Sequence, residues 1–329
     1  MIPTLTASPL LEGCVRSLER QTRRDFEVTI VDNSGRGAVR RTKAAGIVDK
    51  VIENGENLGF GAAINQGFHQ SRAPFLATLN DDAVARPGWI EALVGAAESA
   101  EDVGMCASMV LLAQTGRIDS AGMMICGDGS SKQRGHGAAP EDFNRASETL
   151  FPSGSAALYR RTMLERIGLF DEEFFLYCED TDLGLRARWA GWKCLYAPGA
   201  VVEHRYSHSA GRASPLKAYC VERNRLFVVV KNFPAKPLWR SPFVALVRYY
   251  WHAASVFEGR GAAAEFQREG NSPLRLVWFV VRAHLAVLAA LPRLWAKRRS
   301  IRRNAAVSAG QFLELLAAHS ISAREVAAQ

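Results

Sequence analysis

Phe75-Leu76-Ala77-Thr78-Leu79-Asn80-Asp81-Asp82 is a short apolar run that ends abruptly in three polar residues, two of them acidic. Five apolar or β-branched residues closed by turn-forming ones have the length and composition of a buried strand. A helical pattern over 61–70 precedes it. Upstream, Phe26-Glu27-Val28-Thr29-Ile30-Val31 reads in the same way and ends at Asp32-Asn33-Ser34-Gly35, and 48–52 forms a further strand. Leu10, Leu11, Cys14, Val15 and Leu18 recur at helical spacing between these signals. Strands alternating with helices over the first 105 residues predict a parallel sheet with crossover helices. Polar residues therefore collect at the carboxyl ends of successive strands, the edge at which open α/β sheets bind ligands.

Further along, residues 106–150 are Gly-rich and weakly periodic, with a strand over 118–125 and a polar loop over 127–147. Strands are expected again at 155–159, 194–196 and 200–203, and helices at 161–168 and 181–190, the latter ended by Gly191. After Pro234 the chain turns to long helices rich in Ala, Leu, Arg and aromatics. The expected division is an α/β domain at 1–230 and a basic helical region at 231–329. A chain of 329 residues with 48% hydrophobic and 22% charged residues has the composition of a globular protein, which excludes disorder and a polytopic membrane protein. The six cysteines lack any C-x-x-C pair, so neither a zinc site nor a disulfide framework is indicated, and a reducing compartment is expected. No charged segment followed by an apolar one opens the chain, so a cleaved signal peptide is not expected.

Each candidate motif admits a structural and a functional reading. Asp32 can hydrogen-bond a nucleobase or ribose, or can simply form an Asx turn. Asn57-Leu58-Gly59-Phe60-Gly61 opens a helix whose N-terminus can hold a phosphate, but Ile64 stands where a dinucleotide fingerprint needs its third Gly. Two acids directly after a strand, Asp81 and Asp82, suit a hard divalent cation shared with phosphate, or a capped solvated loop. Glu179-Asp180-Thr181-Asp182 puts three acids at a helix start. The helix dipole and a pairing of Asp182 with Arg186 explain one or two of them, leaving one carboxylate available as a general base. His204 follows a strand, and His208 is a weaker candidate. Tyr177, Trp189 and Trp192 can stack on a sugar or belong to the core.

In this order these pieces resemble the family 2 inverting glycosyltransferases with a GT-A fold, and most closely the branch with bacterial rhamnosyltransferases. The resemblance rests on Ile2-Pro3-Thr4-Leu5, Ser17-Leu18-Glu19-Arg20-Gln21, Val31-Asp32-Asn33, Asn57-Leu58-Gly59-Phe60-Gly61, Leu79-Asn80-Asp81-Asp82-Ala83, Gly168-Leu169-Phe170-Asp171-Glu172, Phe175-Leu176-Tyr177-Cys178-Glu179-Asp180-Thr181-Asp182-Leu183 and Arg223-Asn224. It implies a Rossmann-like mixed sheet flanked by helices, followed by the helical extension. It also implies roles. Asp32 would bind the nucleotide base, with Asn57 and Gly59 in the donor loop, and Asn80-Asp81-Asp82 would be the DXD-like motif. Asp180 would be the catalytic base, and Mg²⁺ or Mn²⁺ would be held by Asp82 and His204. Asn80 stands where many members have Asp, which leaves the metal to Asp82, His204 and the donor diphosphate. The chain starts where the family's first strand would be ending, so the resemblance implies either a shortened strand or a misplaced start codon.

The implied reaction is transfer from a dTDP- or UDP-linked sugar to a lipid-linked or polysaccharide acceptor of the cell envelope. The charge distribution suggests where: residues 1–230 carry 26 Lys+Arg against 28 Asp+Glu, a net of −2, and residues 231–329 carry 15 against 5, a net of +10. Within the tail, 274–291 is apolar but interrupted by Arg275, Arg282 and His284, and Arg293, Lys297, Arg298, Arg299, Arg302 and Arg303 follow. An interfacial helix beside a polybasic run favours an anionic membrane surface over nucleic acid, placing the protein peripherally on the cytoplasmic face. The same pattern can also be a helical bundle with a solvated basic face. Two other functions compete. A sugar-nucleotide pyrophosphorylase needs a Gly-rich basic N-terminal loop that residues 1–20 lack, and a membrane scaffold that binds nucleotide sugar without turnover has no use for Glu179-Asp180.

Overall fold

The computed structural model describes residues 1–205, 214–257, 261–268, 270 and 272–328, and His208 lies outside them. In chain order the first elements are β1 (Ile2–Thr4), α1 (Pro9–Glu19), β2 (Thr29–Asp32), β3 (Lys50–Glu53), α2 (Phe60–Gln70), β4 (Phe75–Leu79), β5 (Ala83–Ala85), α3 (Trp89–Glu98) and β6 (Val103–Leu112). Then come β7 (Ile118–Ser120), β8 (Met123–Ile125), β9 (Ser131–Gln133), β10 (Ser147–Glu148), β11 (Ala156–Arg160), α4 (Arg161–Ile167), α5 (Glu179–Trp189) and β12 (Lys193–His204). Six helices follow: α6 (Pro215–Asn232), α7 (Ala235–Phe257), α8 (Gly261–Arg268), α9 (Pro273–Arg303), α10 (Ala309–Ala318) and α11 (Ala323–Ala328). The chain forms two compact units, one of Met1–Met123, Gln133–Phe175 and Trp192–Ser209, the other of Met124–Lys132, Leu176–Gly191 and Ala210–Gln329.

In the first unit β1, β2 and β3 run parallel, with Ile2 opposite Ile30 and Ile30 opposite Val51. Bonds from the Met1 amine to Ala77 O (2.8 Å) and from Leu79 N to Met1 O (3.1 Å) attach β1 to β4. Beyond β4 the order is β11, β6, β12, β10, with β6–β12 parallel and both β6–β11 and β11–β4 antiparallel. The sheet is therefore mixed rather than wholly parallel. α1 starts where the Ser8 side chain accepts from Leu10 N with Pro9 at the first turn, and it buries Leu11, Cys14, Val15 and Leu18 against the sheet core.

β6 is the strand that periodicity missed, most of it inside the Gly-rich, weakly periodic stretch at 106–150. Its first nine residues are buried, so there is no alternation to detect, and Gly104, Ala107 and Ser108 are weak strand formers. The single strand expected over 118–125 is two, β7 and β8, parted at Gly122 with φ +99°. Conversely the two strands expected at 194–196 and 200–203 are one, β12, whose register slips between Ala197 and Val201 where Pro198-Gly199 intervenes.

In the second unit α5 is fastened to the later helices through Trp189. That ring stacks on Phe312 (centroids 3.9 Å apart, planes 12°), lies 3.4 Å beneath the Arg302 guanidinium, and donates from Nε1 to Asn232 O at 2.9 Å. At 2% exposure Trp189 is core and has no face left for a sugar. The composition break near residue 231 falls in the last turn of α6, inside this unit.

Candidate active site

The first unit gathers Thr4, Asn80, Asp81, Asp82 and His204 at the carboxyl edge of its sheet. β5 explains how: it pairs antiparallel with the end of β12, setting Ala83 opposite His204, and Arg205 N donates to Asp82 O at 3.1 Å. His204 Nε2 consequently stands 3.2 Å from Asp82 Oδ1 and 3.3 Å from Asn80 Nδ2. Asp81 faces elsewhere, accepting from Thr4 Oγ1 at 2.5 Å. Thr4 also pairs with Asp32 across β1–β2, so the ends of β1, β2 and β4 adjoin.

A residue outside the sequence-based candidates completes the arrangement. Asp119, buried in β7, places Oδ2 3.0 Å from His204 Nδ1, and its Oδ1 lies 3.4 Å from His136 Nδ1. Asp119 therefore accepts from Nδ1–H and turns Nε2 toward Asp82, the orientation in which a carboxylate holds a metal-ligating histidine. Burial alone would lower the His204 pKa, but its bonds to Asp119 and Asp82 outweigh that and raise it to about 9. A cation at Nε2 thus competes with a proton. The only sequence signal for Asp119 was an acid inside an expected strand, costly there unless paired.

Asp82 and His204 offer one carboxylate oxygen and one imidazole nitrogen, a donor set that suits Mn²⁺ or Mg²⁺ with diphosphate and water completing the shell. Among the described residues no three His, Cys, Asp or Glu side chains form a metal group.

Asp32 is buried, and its carboxylate accepts from Ser34 N (2.9 Å) and Val39 N (2.8 Å). Burial raises its pKa, yet hydrogen bonds from Ser34, Val39 and Ala38 prevail and lower it. The turn reading is thus realised, and any nucleobase must approach a carboxylate already engaged. Asn57 Oδ1 accepts from Gly59 N at 2.9 Å, and Gly59 has φ +87°. A Cβ there would lie 2.2 Å from Phe175 O, so glycine is required where the backbone passes so close.

In the second unit the three acids of α5 separate by environment. Asp182 is fully buried and held by Arg186 Nε (2.8 Å), Lys231 Nζ (2.7 Å) and Asn232 Nδ2 (2.9 Å). Glu179 is buried too, and burial first, then the Asp180 charge, pushes its pKa up. Asp180 alone is only half-buried, its Oδ1 accepting from Thr181 N at 2.7 Å. The segment leading into α5 is strained, with positive φ at Phe175, Tyr177 and Cys178. Within this unit Asn224 Nδ2 pins it by donating to Leu176 O (2.9 Å) and Tyr177 O (2.7 Å).

The family model described as Glycosyl transferase family 2 matches residues 1–168. The chain belongs to this family. It is similar to the N-acetylglucosaminyl-diphospho-decaprenol L-rhamnosyltransferase of Mycobacterium tuberculosis, 31% identical over 245 residues that cover 66% of this chain and 79% of the relative. This glycosyltransferase is thus rhamnosyltransferase-like. Two solved structures share its fold: GalNAc-T7 with UDP, GalNAc and Mn²⁺ (TM-score 0.59, 14% identity, 88% of this chain and 57% of that one), and a mannosyltransferase from Pyrobaculum calidifontis with GDP-Man and Mn²⁺ (0.52, 17%, 94% and 85%). The mixed sheet of the first unit, with the helices that follow, is the GT-A fold expected from the motifs.

Proposed function

We propose that this glycosyltransferase moves rhamnose, with inversion, from a dTDP- or UDP-linked donor to a lipid-linked acceptor in cell-envelope polysaccharide synthesis, on the cytoplasmic face of the membrane. The observation that carries the donor side is the 3.2 Å convergence of Asp82 and His204 at the sheet edge. The relative acting on a diphospho-decaprenol substrate supports the acceptor class. Asp32 meets the base, Asn57 and Gly59 shape the donor loop, and Asn80 and Asp81 flank the diphosphate. Asp180 takes the acceptor hydroxyl proton as that oxygen attacks the anomeric carbon from the face opposite the leaving group. A divalent cation on Asp82 and His204 would stabilise charge on the departing nucleoside diphosphate. A scaffold without turnover would have no use for a half-buried Asp180 at this helix start, and it would not hydrolyse donor.

The donor assignment is tested by titrating UDP and dTDP with Mn²⁺. Asp82→Ala and His204→Ala should each weaken binding at least about tenfold, a loss that outer-shell partners of a metal alone can reach. The double variant should be little worse than either single, because two ligands of one ion do not act independently. Fully additive losses would remove His204 from the shell.

We also propose that residues 231–329 carry the membrane contact and residues 1–230 the transferase chemistry. α9 holds the one span among the described residues that is long and apolar enough to cross a membrane, with mean hydropathy 1.8 and 17% of it buried. Leu274, Val277, Trp278, Leu285 and Leu288 are exposed along it. Of the six cations that follow, Arg298 donates to Val230 O (2.8 Å) and Arg302 to Asn232 O (3.0 Å), so these two stabilise the helices. The exposed Arg299 and Arg303 face anionic lipid in this reading, at about 1 kcal/mol each near such a surface. Flotation with phosphatidylglycerol vesicles should fall only partly at high salt and should be much weaker with neutral lipid. Equal binding to both lipids would remove the electrostatic contribution.

A further inference from the structure

One face of α7 is apolar and open, and the reaction above makes no use of it. Trp239, Phe243, Leu246, Val247 and Tyr250 are half to three-quarters exposed, and at 3.6 residues per turn they fall within roughly 100° of arc. Three rings of about 200 Å² each, with two aliphatic side chains between them, reach the upper end of the contiguous apolar surface that a soluble monomer shows. Such a face marks a site of contact.

The opposite face of the helix explains why this surface is not turned inward. Arg248 donates to Asp128 at 2.5 Å and to Glu222 at 2.9 Å, both partners buried, and Tyr249 donates to Glu222 while accepting from Arg225 at 2.7 Å. Val244 packs against Cys126, Ile321 and Val326. A buried charge network is costly to break from one side, so α7 is locked in rotation with its apolar arc outward. Glu222 and Arg225 belong to α6, the helix whose Asn224 pins the turn leading to Asp180, so α7 and that turn share one support.

The charges on the helix select the partner. α7 has no acidic residue, Lys236 lies on the same arc as Trp239 and Arg240 on its edge, and both cations are exposed. A second copy of the chain, paired about a two-fold axis, would bring the same cations to the contact and no acid of α7 to meet them. A layer of anionic headgroups meets them with opposite charge, takes the rings of Trp239 and Tyr250 at the polar boundary, and covers the aliphatic groups with acyl chain. We propose that α7 lies in the plane of an anionic bilayer, with Trp239, Phe243, Leu246, Val247 and Tyr250 inserted at the headgroup boundary. The proposal rests on the reading that residues 231–329 meet the membrane, and it names a contact surface separate from that of α9. The turn that bears Asp180 is then carried by helices seated on the surface that presents a lipid-linked acceptor.

The test uses the full chain, whose six native cysteines are all buried, so that an introduced surface thiol is the one a dye reaches first. Phe243→Cys on α7, Leu285→Cys on α9 and, as a control, Glu314→Cys at an exposed acid of α10 are each labelled with nitrobenzoxadiazole and mixed with phosphatidylglycerol vesicles. The dye at 243 should brighten about threefold or more and be quenched by a spin label carried on the lipid, while the dye at 314 stays unchanged. Trp239→Glu combined with Phe243→Glu, both at exposed positions, should lower vesicle affinity at least about tenfold. A response at 285 without one at 243 overturns the proposal and leaves the α9 contact standing. Silence at both positions overturns the membrane reading as well. Brightening at 243 that rises with protein concentration in the absence of lipid, together with a doubled mass in sedimentation, assigns the face to a second copy. That result overturns the proposal, as does unchanged vesicle affinity in the double variant.

Discussion

Asp180→Asn is expected to lower sugar transfer by roughly 10² to 10⁴, the range for removal of a general base, while UDP or dTDP binding with Mn²⁺ stays within about twofold. The substitution keeps the shape of the side chain and an oxygen able to accept from Thr181 N, so the backbone bond at 2.7 Å survives. What is lost is the basicity of the carboxylate. The neighbours are poorly placed to take over: Glu179 and Asp182 are both buried, Asp182 among cationic and amide donors. Loss should appear in kcat as well as in kcat/KM for acceptor, because the interaction is made in the transition state. Near wild-type turnover in the variant would move the base elsewhere.

The motifs carried much of this site into view before any coordinates. Strands β2 and β4, each a short apolar run closed by turn residues, placed Asp32 and Asn80-Asp81-Asp82 at one edge because a strand that ends in polar residues has only the sheet edge on which to put them. His204 was visible as a histidine after a strand. Asp119 was not, since its role depends on β7 lying beside β6, and β6 gave no periodic signal because both of its faces are buried. β9 was read as loop because it is three residues long and half-buried throughout, so no alternation marks it. Trp189 shows the limit of residue type, for an aromatic near a catalytic motif serves as readily to anchor α5.

Asp182→Ala, two residues beyond the base, should have the opposite signature. Its carboxylate is fully buried, accepting from Arg186, Lys231 and Asn232, so truncation leaves a buried ammonium and guanidinium without their shared counter-charge. Breaking such a pair from one side costs about 3–5 kcal/mol, far more than a surface bridge contributes. Urea unfolding followed by tryptophan fluorescence should therefore shift to clearly lower denaturant, since Trp189 on the same helix reports the loosening of α5. Asp182→Asn should recover part of the loss, because an amide still accepts from Lys231. Replacing Lys231→Met together with Asp182→Leu should cost less than Asp182→Ala alone, because the ammonium is removed with its partner and only the Arg186 guanidinium loses its bond to Asp182. An unshifted midpoint combined with abolished transfer in Asp182→Ala would contradict this and make Asp182 part of the chemistry. If instead stability falls and transfer at low temperature persists, the helix start divides its labour by burial: Asp182, fully buried, fixes α5 in place, and Asp180, the half-buried acid, is the one within reach of solvent and substrate.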